Sequence, residues 1–321
     1  MFANFAAMNP KRHTWALICC MVLLGMMAAI DMQIGTAQAD LHIMWMLRIP
    51  RIVTAILAGA SLALAGVQMQ GIFRNPLADP HIMGVSAGAS LGAAAATMAA
   101  GRHAIDAGFS IAGAAILGAG AAALIILAAS KKFKGASTLL IFGVMLGFIV
   151  NAIISILQFS SDAESLKIYY SWSAGSFSNS TWKQIMLIGI SATIGLCTAI
   201  FNRKGLDIIM FGDEFAEMSG ADTGRIRTIS LISCCILTGA VTAFCGPLGF
   251  VGITAPHIAR AILKTASHRI ILPASIFTGA IIGLGADLLS QIAPSPIPVS
   301  STMALIGIPV ILYILIKKPS L

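Results

Sequence analysis

The side chains that could do chemistry are few, and their spacing limits the kind. Six histidines (His13, His42, His81, His103, His257, His268) show no H-x-x-x-H or H-E-x-x-H spacing. No metal site is expected from them. His81 and His257 each follow a proline and are expected to bond to backbone at helix ends. The six cysteines lie in apolar runs without a C-x-x-C pair, which reads as buried free thiols. No G-x-x-x-x-G-K-[ST] pattern is present, so this chain has no P-loop for ATP. Neither a catalytic residue nor a cofactor is expected. Acidic residues gather instead in one stretch, 212–227, with Asp213, Glu214, Glu217 and Asp222 beside Arg225 and Arg227. Asp213 can cap a short helix, Gly220 can end it in a left-handed turn, and Asp222 can cap the next. Two short amphipathic helices there would make a docking ridge for a soluble subunit; an ordinary solvated connection is the alternative. Asp287 is read as the one carboxylate inside an apolar run. A structural bond to water or to an arginine is favoured for it over ion transport.

The elements that must position these residues follow from composition. Of 321 residues, 58% are hydrophobic and 10% charged, and the mean hydropathy is +0.91. A soluble domain carries about 25% charged residues. The chain is therefore read as a polytopic membrane protein. A net charge of +8 does not indicate nucleic acid, because the largest basic cluster is Lys131, Lys132 and Lys134. About 20 helical residues cross ~30 Å of hydrocarbon. Ten apolar runs qualify as spans: roughly 14–30, 52–73, 82–100, 104–130, 136–159, 182–201, 228–246, 248–263, 270–292 and 298–316. They lack the period-two alternation of a membrane β-barrel. Fifteen of the 20 Lys and Arg fall on one side if the N-terminus is inside, which predicts two cytoplasmic termini. Arg48, Arg51, Arg102, Lys167 and Lys183 fall outside. Lys11-Arg12, the apolar run and Ala37-Gln38-Ala39 imitate a cleavable signal, but the run is long enough to favour a retained helix.

Prolines interrupt two of these runs. Pro76 and Pro80-His81-Ile82 are echoed by Pro247 and Pro256-His257-Ile258, a hint of an internal repeat around a pathway. Irregular backbone at membrane depth is tolerated only inside protein or beside water. Arg48 and Arg51, three residues apart, share a helix face against the positive-inside bias. Snorkelling to headgroups and pairing with Asp287 are both open to them.

Five segments occur in one order: Arg48-Ile49-Pro50-Arg51; Arg74-Asn75-Pro76-Leu77-Ala78-Asp79-Pro80 with Gly84-Val85-Ser86-Ala87-Gly88; Tyr170-Ser171-Trp172-Ser173-Ala174-Gly175-Ser176-Phe177; Gly212–Arg227; and Gly246-Pro247-Leu248-Gly249-Phe250-Val251-Gly252 with Ala255-Pro256-His257-Ile258-Ala259-Arg260. Together with Ile306-Gly307-Ile308-Pro309 they resemble the FecCD-type, cobalamin-permease-like family of ABC importers for iron-siderophores, haem and cobalamin. The resemblance runs from about residue 45 to 316. It implies an all-α, ten-span permease of the cell inner membrane, a single domain over 1–321 with a cytoplasmic coupling segment at 212–227. It also implies a second permease copy, two cytoplasmic ATPase subunits and a periplasmic or surface solute-binding protein. ATPase coupling would fall to Asp213, Glu214, Glu217, Gly220, Arg225 and Arg227, and binding-protein docking to Arg48 and Arg51. Asn75 and Leu77, with Ala136 and Ser137, would form an inner gate; for Asn75, simple capping of the broken helix is the alternative. Related permeases often carry an arginine where this chain has Gln291, and a glutamate in the segment written here Ser295-Pro296-Ile297-Pro298. The leading cargo is a ferric siderophore, ahead of haem and cobalamin. An ion-gradient-driven secondary transporter is the rival class, disfavoured by the scarcity of buried charge.

Overall fold

A computed structural model describes residues 10–34, 41–99, 110–133, 135–293 and 295–317. Ala37–Ala39, Arg102, His103, Lys134 and Lys318 lie outside the described residues. The described chain is helical throughout, without strands. The helices are α1 (Pro10–Gln33), α2 (Ile49–Phe73), α3 (Val85–Ala94), α4 (Ile111–Lys132), α5 (Ala136–Phe159), α6 (Ala163–Ser173), α7 (Trp182–Ile209), α8 (Asp213–Met218), α9 (Thr223–Cys245), α10 (Val251–Leu263), α11 (His268–Ser290) and α12 (Val299–Lys317). A wide π-type turn at Met44–Arg48 leads into α2, and another at Ala95–Ala99 extends α3.

Each of the ten apolar runs corresponds to a helix. Seven of the described helices (α1, α2, α4, α5, α7, α9 and α11) are long and apolar enough to cross a membrane. The other three runs give the shorter apolar segments Val85–Met98, Val251–Leu263 and Val299–Tyr313. Two elements were not expected. One is α6, started by Asp162, whose carboxylate accepts from the backbone N–H of Glu164 and Ser165 at 3.0 Å each. The other is the last turns of α7, which run past residue 201 because Asn202 is buried there and bonds to the Ile226 carbonyl and Ser230 Oγ at 2.9 Å.

The helices place the connections at two ends. One end carries 74–84, 210–222 and 264–267, and most of the Lys and Arg; it is called the basic end below. The other carries 41–48, 160–181 and 291–298. Trp45 and Trp182 meet there with ring centroids 5.1 Å apart, as aromatic residues do at a membrane interface.

The core is built around α2. Every residue from Ser61 to Phe73 is buried, so α2 is enclosed on all sides, while α5 and α7 keep outward apolar faces. Lipid supplies no hydrophobic drive between helices, so close backbone approach must hold them. A Cβ on Gly59 would come within 2.1 Å of the Gly279 carbonyl oxygen, and one on Gly66 within 2.0 Å of the Gly252 carbonyl oxygen. The α3–α4 pair repeats this, with Gly88 against Gly118 at 2.5 Å. Gly59→Val should therefore wedge α2 from α11 and cost about 1–3 kcal/mol. It should be read as a lowered Tm of the detergent-purified chain. Gly120→Ala, where an added Cβ would meet no neighbouring element within 4 Å, should hold Tm or raise it slightly, because alanine is the better helix former.

Candidate functional site

At the basic end, α7 stops at Ile209 and Gly212 turns the chain with φ +114°. The six-residue α8 follows, rooted by Ala216, which is fully buried. Gly220 ends it at φ +78°. Its N–H bonds to the Glu217 carbonyl and that of Ala221 to the Ala216 carbonyl, both at 2.9 Å. Asp222 then caps α9, its carboxylate accepting from the Arg225 N–H at 2.9 Å. Gly220 and Asp222 thus do what their residue types suggest. Asp213 does not cap: Gly212 occupies the cap position with no side-chain bond. The Asp213 carboxylate instead accepts from Arg227 Nη2 at 2.7 Å and lies 3.7 Å from Arg74 Nη2. Glu217 accepts from the Thr223 hydroxyl at 3.0 Å, while Glu214 and Arg225 are exposed.

Sequence reading passed over the apolar part of this ridge. Phe211, Phe215 and Met218 are 65%, 53% and 88% exposed, with the two rings 5.5 Å apart. Their i, i+4 and i+7 spacing was the available signal. Exposed aromatic and methionine side chains rimmed by charge are the composition of a protein-docking patch.

The residues expected at a gate are distributed differently. Asn75 Oδ1 accepts from the Leu77 N–H at 2.9 Å, and the Asn75 carbonyl from the Ala78 N–H at 3.1 Å. Asn75 therefore closes its own turn beyond α2 and does not cap that helix, whose cap is Arg74. Leu77 and Ser137 are exposed and Ala136 is buried.

The two proline-interrupted segments meet each other. Pro256 has no N–H, so the Gly252 carbonyl loses its helical donor. Gln70 of α2 supplies one, Nε2 donating at 3.1 Å, and Gln70 Oε1 accepts in turn from Arg260 Nη1. His257 Nε2 donates to the Pro76 carbonyl at 2.9 Å, a ring–backbone bond of the kind expected. His81 differs. Its Nδ1 is buried with no partner among the described residues, and its backbone N–H bonds to Asp79 Oδ1 at 2.8 Å.

At the opposite end, Arg51 closes on Asp287. Nε and Nη2 both donate to the carboxylate at 2.8–2.9 Å, and Nη2 also donates to Ser290 Oγ at 3.0 Å. The Arg51 side chain is 18% exposed and Asp287 fully buried. Pairing with Asp287 is therefore what the geometry gives Arg51. Arg48 donates to the Met32 carbonyl. A second buried carboxylate, Asp31, corrects the reading of Asp287 as the only intramembrane acid, because α1 continues to Gln33. Gln291 Nε2 donates to Asp31 Oδ1 at 3.0 Å and lies 3.4 Å from Asp287 Oδ2.

Known proteins share this architecture. The FecCD transport family matches residues 8–317. The cobalamin import system permease protein BtuC of Halobacterium salinarum is 33% identical over 289 residues, covering 89% of this chain and 77% of that protein. The Fe(3+)-citrate import system permease protein YfmE of Bacillus subtilis is 37% identical over 274 residues, covering 84% of this chain and 80% of that protein. An inward-facing structure described as a metal-chelate type ABC transporter superposes with a TM-score of 0.83 at 30% identity, over 95% of this chain and 99% of that one.

The Gln70 bridge yields a direct test. Gln70→Leu would leave the Gly252 carbonyl and the Arg260 guanidinium without this partner, a loss of about 1–3 kcal/mol. Tm should fall accordingly, and Gln70→Glu, which keeps the acceptor for Arg260, should fall less. An unchanged Tm in Gln70→Leu would show that the bridge stabilises nothing.

Proposed function

The chain belongs to the FecCD transport family and is a permease of a metal-chelate ABC importer, and from that premise we propose how it is assembled and what it carries. Two copies form a pathway, two ATPase subunits bind at the basic end, and a solute-binding protein docks at the other. The basic end then faces the cytoplasm, with both termini inside and the protein in the inner membrane. The whole chain acts as one transmembrane domain, with 212–227 as its coupling segment. ATP is hydrolysed on the partner.

The exposed Phe211–Phe215–Met218 ridge carries this reading. It sits among Glu214, Glu217 and Arg225 on the side richest in Lys and Arg, where lipid tails do not reach. A soluble subunit matches its mixed apolar and charged surface. The second copy has its own support. Asn151 and Ser155 are exposed on α5 within an otherwise apolar span, and a bare amide in lipid is costly. A partner copy or a watered pathway along this face removes that cost. The ferric-citrate relative supports a ferric chelate as cargo, with the siderophore class leading; the cobalamin relative supports the runner-up. Asn75 and Leu77, with Ala136 and Ser137, narrow the inner mouth in this scheme.

Gly220→Pro should abolish the left-handed turn, leave the chain membrane-inserted, and uncouple ATP hydrolysis from uptake in proteoliposomes holding the whole importer. Normal uptake by that variant would remove 212–227 from coupling. Uptake by the permease without any ATPase subunit would instead indicate an ion-driven carrier.

Docking by Arg48 and Arg51 needs two separate tests, because Arg51 is paired with the buried Asp287 and Arg48 is held by the Met32 carbonyl. Arg48→Glu should weaken binding-protein affinity and its salt dependence, since interface arginine–carboxylate contacts steer the encounter, and should lower Tm modestly through the lost bond to the Met32 carbonyl. Arg51→Ala should in addition cost about 3–5 kcal/mol, because it leaves Asp287 buried without its counter-ion. Unchanged affinity in Arg48→Glu would make Arg48 a structural anchor of α1 only.

A further inference from the structure

Arg74 ends α2 in the left-handed region at φ 49°, one of three described non-glycine residues with positive φ. Glycine or asparagine would hold this cap with less strain. The side chain gives the position its reason. Arg74 Nη2 lies 3.7 Å from Asp213 Oδ2, and Nη1 stands 3.4 Å from where a Cβ on Gly212 would be. One carboxylate at the head of α8 is thus shared by two arginines, Arg74 from the end of α2 and Arg227 from the first turns of α9.

The segment leaving Arg74 is attached again a few residues on. The Pro76 carbonyl is held by His257 of α10 at 2.9 Å. Pro80 packs on Gly252, where an added Cβ would meet Pro80 Cδ at 2.7 Å. The connection from α2 to α3 is therefore tied at its start to the docking ridge and at its middle to the broken helix α10. Between the attachments at Pro76 and Pro80 stands Leu77, exposed.

We infer that Arg74 is a positioning residue that passes displacement of α8 to the α2–α3 connection and, through Pro76 and His257, to α10. The inference rests on the reading that 212–227 receives an ATPase. Asp213 also accepts from Arg227 at 2.7 Å, a bond that does not involve Arg74, so α8 is expected to retain its shape when Arg74 is replaced. A half-exposed ion pair at 3.7 Å contributes little to folding. Its geometric role is then separable from stability.

The test uses the assembled importer with a cysteine replacing Leu77 in a cysteine-depleted background. Thiol accessibility at position 77 is followed with and without ATP. Arg74→Gly relieves the left-handed strain, so Tm and basal ATPase activity should hold or rise slightly. The ATP-dependent change in labelling should nevertheless shrink about fivefold or more, the scale of a modest coupling energy. Arg74→Lys, which keeps the charge, should recover part of it. An undiminished ATP response in Arg74→Gly would overturn the relay while leaving the importer reading intact. Failure of the ATPase to copurify with the chain that retains Arg74 would overturn that reading itself, and the relay with it.

Discussion

A carbonyl freed inside a bilayer has no water to turn to, and the proline of α10 frees one at Gly252. Much of the bundle is arranged around that group. The donor that meets it is the Gln70 amide, so α2 must carry a glutamine where a span would ordinarily be apolar. To bring that amide to 3.1 Å, the two backbones must nearly touch, which Gly66 permits. A helix approached this closely by α10 on one side and by α11 on another ends up enclosed on all sides. The same rule acts on α12. Its first N–H groups, at Val299 and Ser300, donate to the Gly175 and Ala174 carbonyls at 3.2 Å, and Gly175 takes φ +76° to present them. The segment 170–177 is thus a backbone cap for a later helix.

The buried charges obey a related constraint. Asp31 and Asp287 lie against Arg51 and Gln291, with Arg48 bound at Met32. Arg51 answers Asp287 directly, and Asp31 takes its hydrogen bond from Gln291. An arginine at position 291 would add a third cation beside them, whereas Gln291 supplies N–H donors to both acids without charge. Gln291, where the family resemblance implies an arginine, is thus the donor that meets Asp31. That carboxylate also attaches α1: it is the one buried side chain described in that helix, and it adds a polar hold at the last turn to the apolar packing of Leu24, Met27 and Ala28.

What the sequence revealed divides along the range of the interactions. Hydrophobic runs disclosed the helices, because each apolar run must find a membrane or a core on its own. Gly220 and Asp222 were legible for the same reason: their conformations are set by residue type and the next few neighbours. Asp213 was misread as a cap because its two arginines come from α2 and α9, and local spacing favoured the cap. Asp31 was missed by ending the first span at Ile30. Gln70 could not be read at all, since nothing near it signals that a distant proline leaves a carbonyl open. α6 escaped a search for apolar runs, although the Asp162 cap was there to be seen.

The two ends of the bundle differ in what it takes to rearrange them. At the α6 end, Arg51 and Asp287 form a bidentate pair with the acid wholly buried, and opening it would leave a desolvated charge. The backbone bonds from α12 to Ala174 and Gly175 add a second fixed joint there. At the basic end, Arg74 and Asp213 are both partly in water, and screening makes their contact inexpensive to break and remake. Arg74 and Lys264 also end their helices there in left-handed turns at φ 49° and 50°, leaving short connections rather than continued helix. Rigid-body motion of packed helices is amplified where the joints are weakest. Asp207 still ties the end of α7 to the buried His268 of α11 at 2.7–2.8 Å, so the weak joint at this end is confined to the contact between α8 and the start of 74–84.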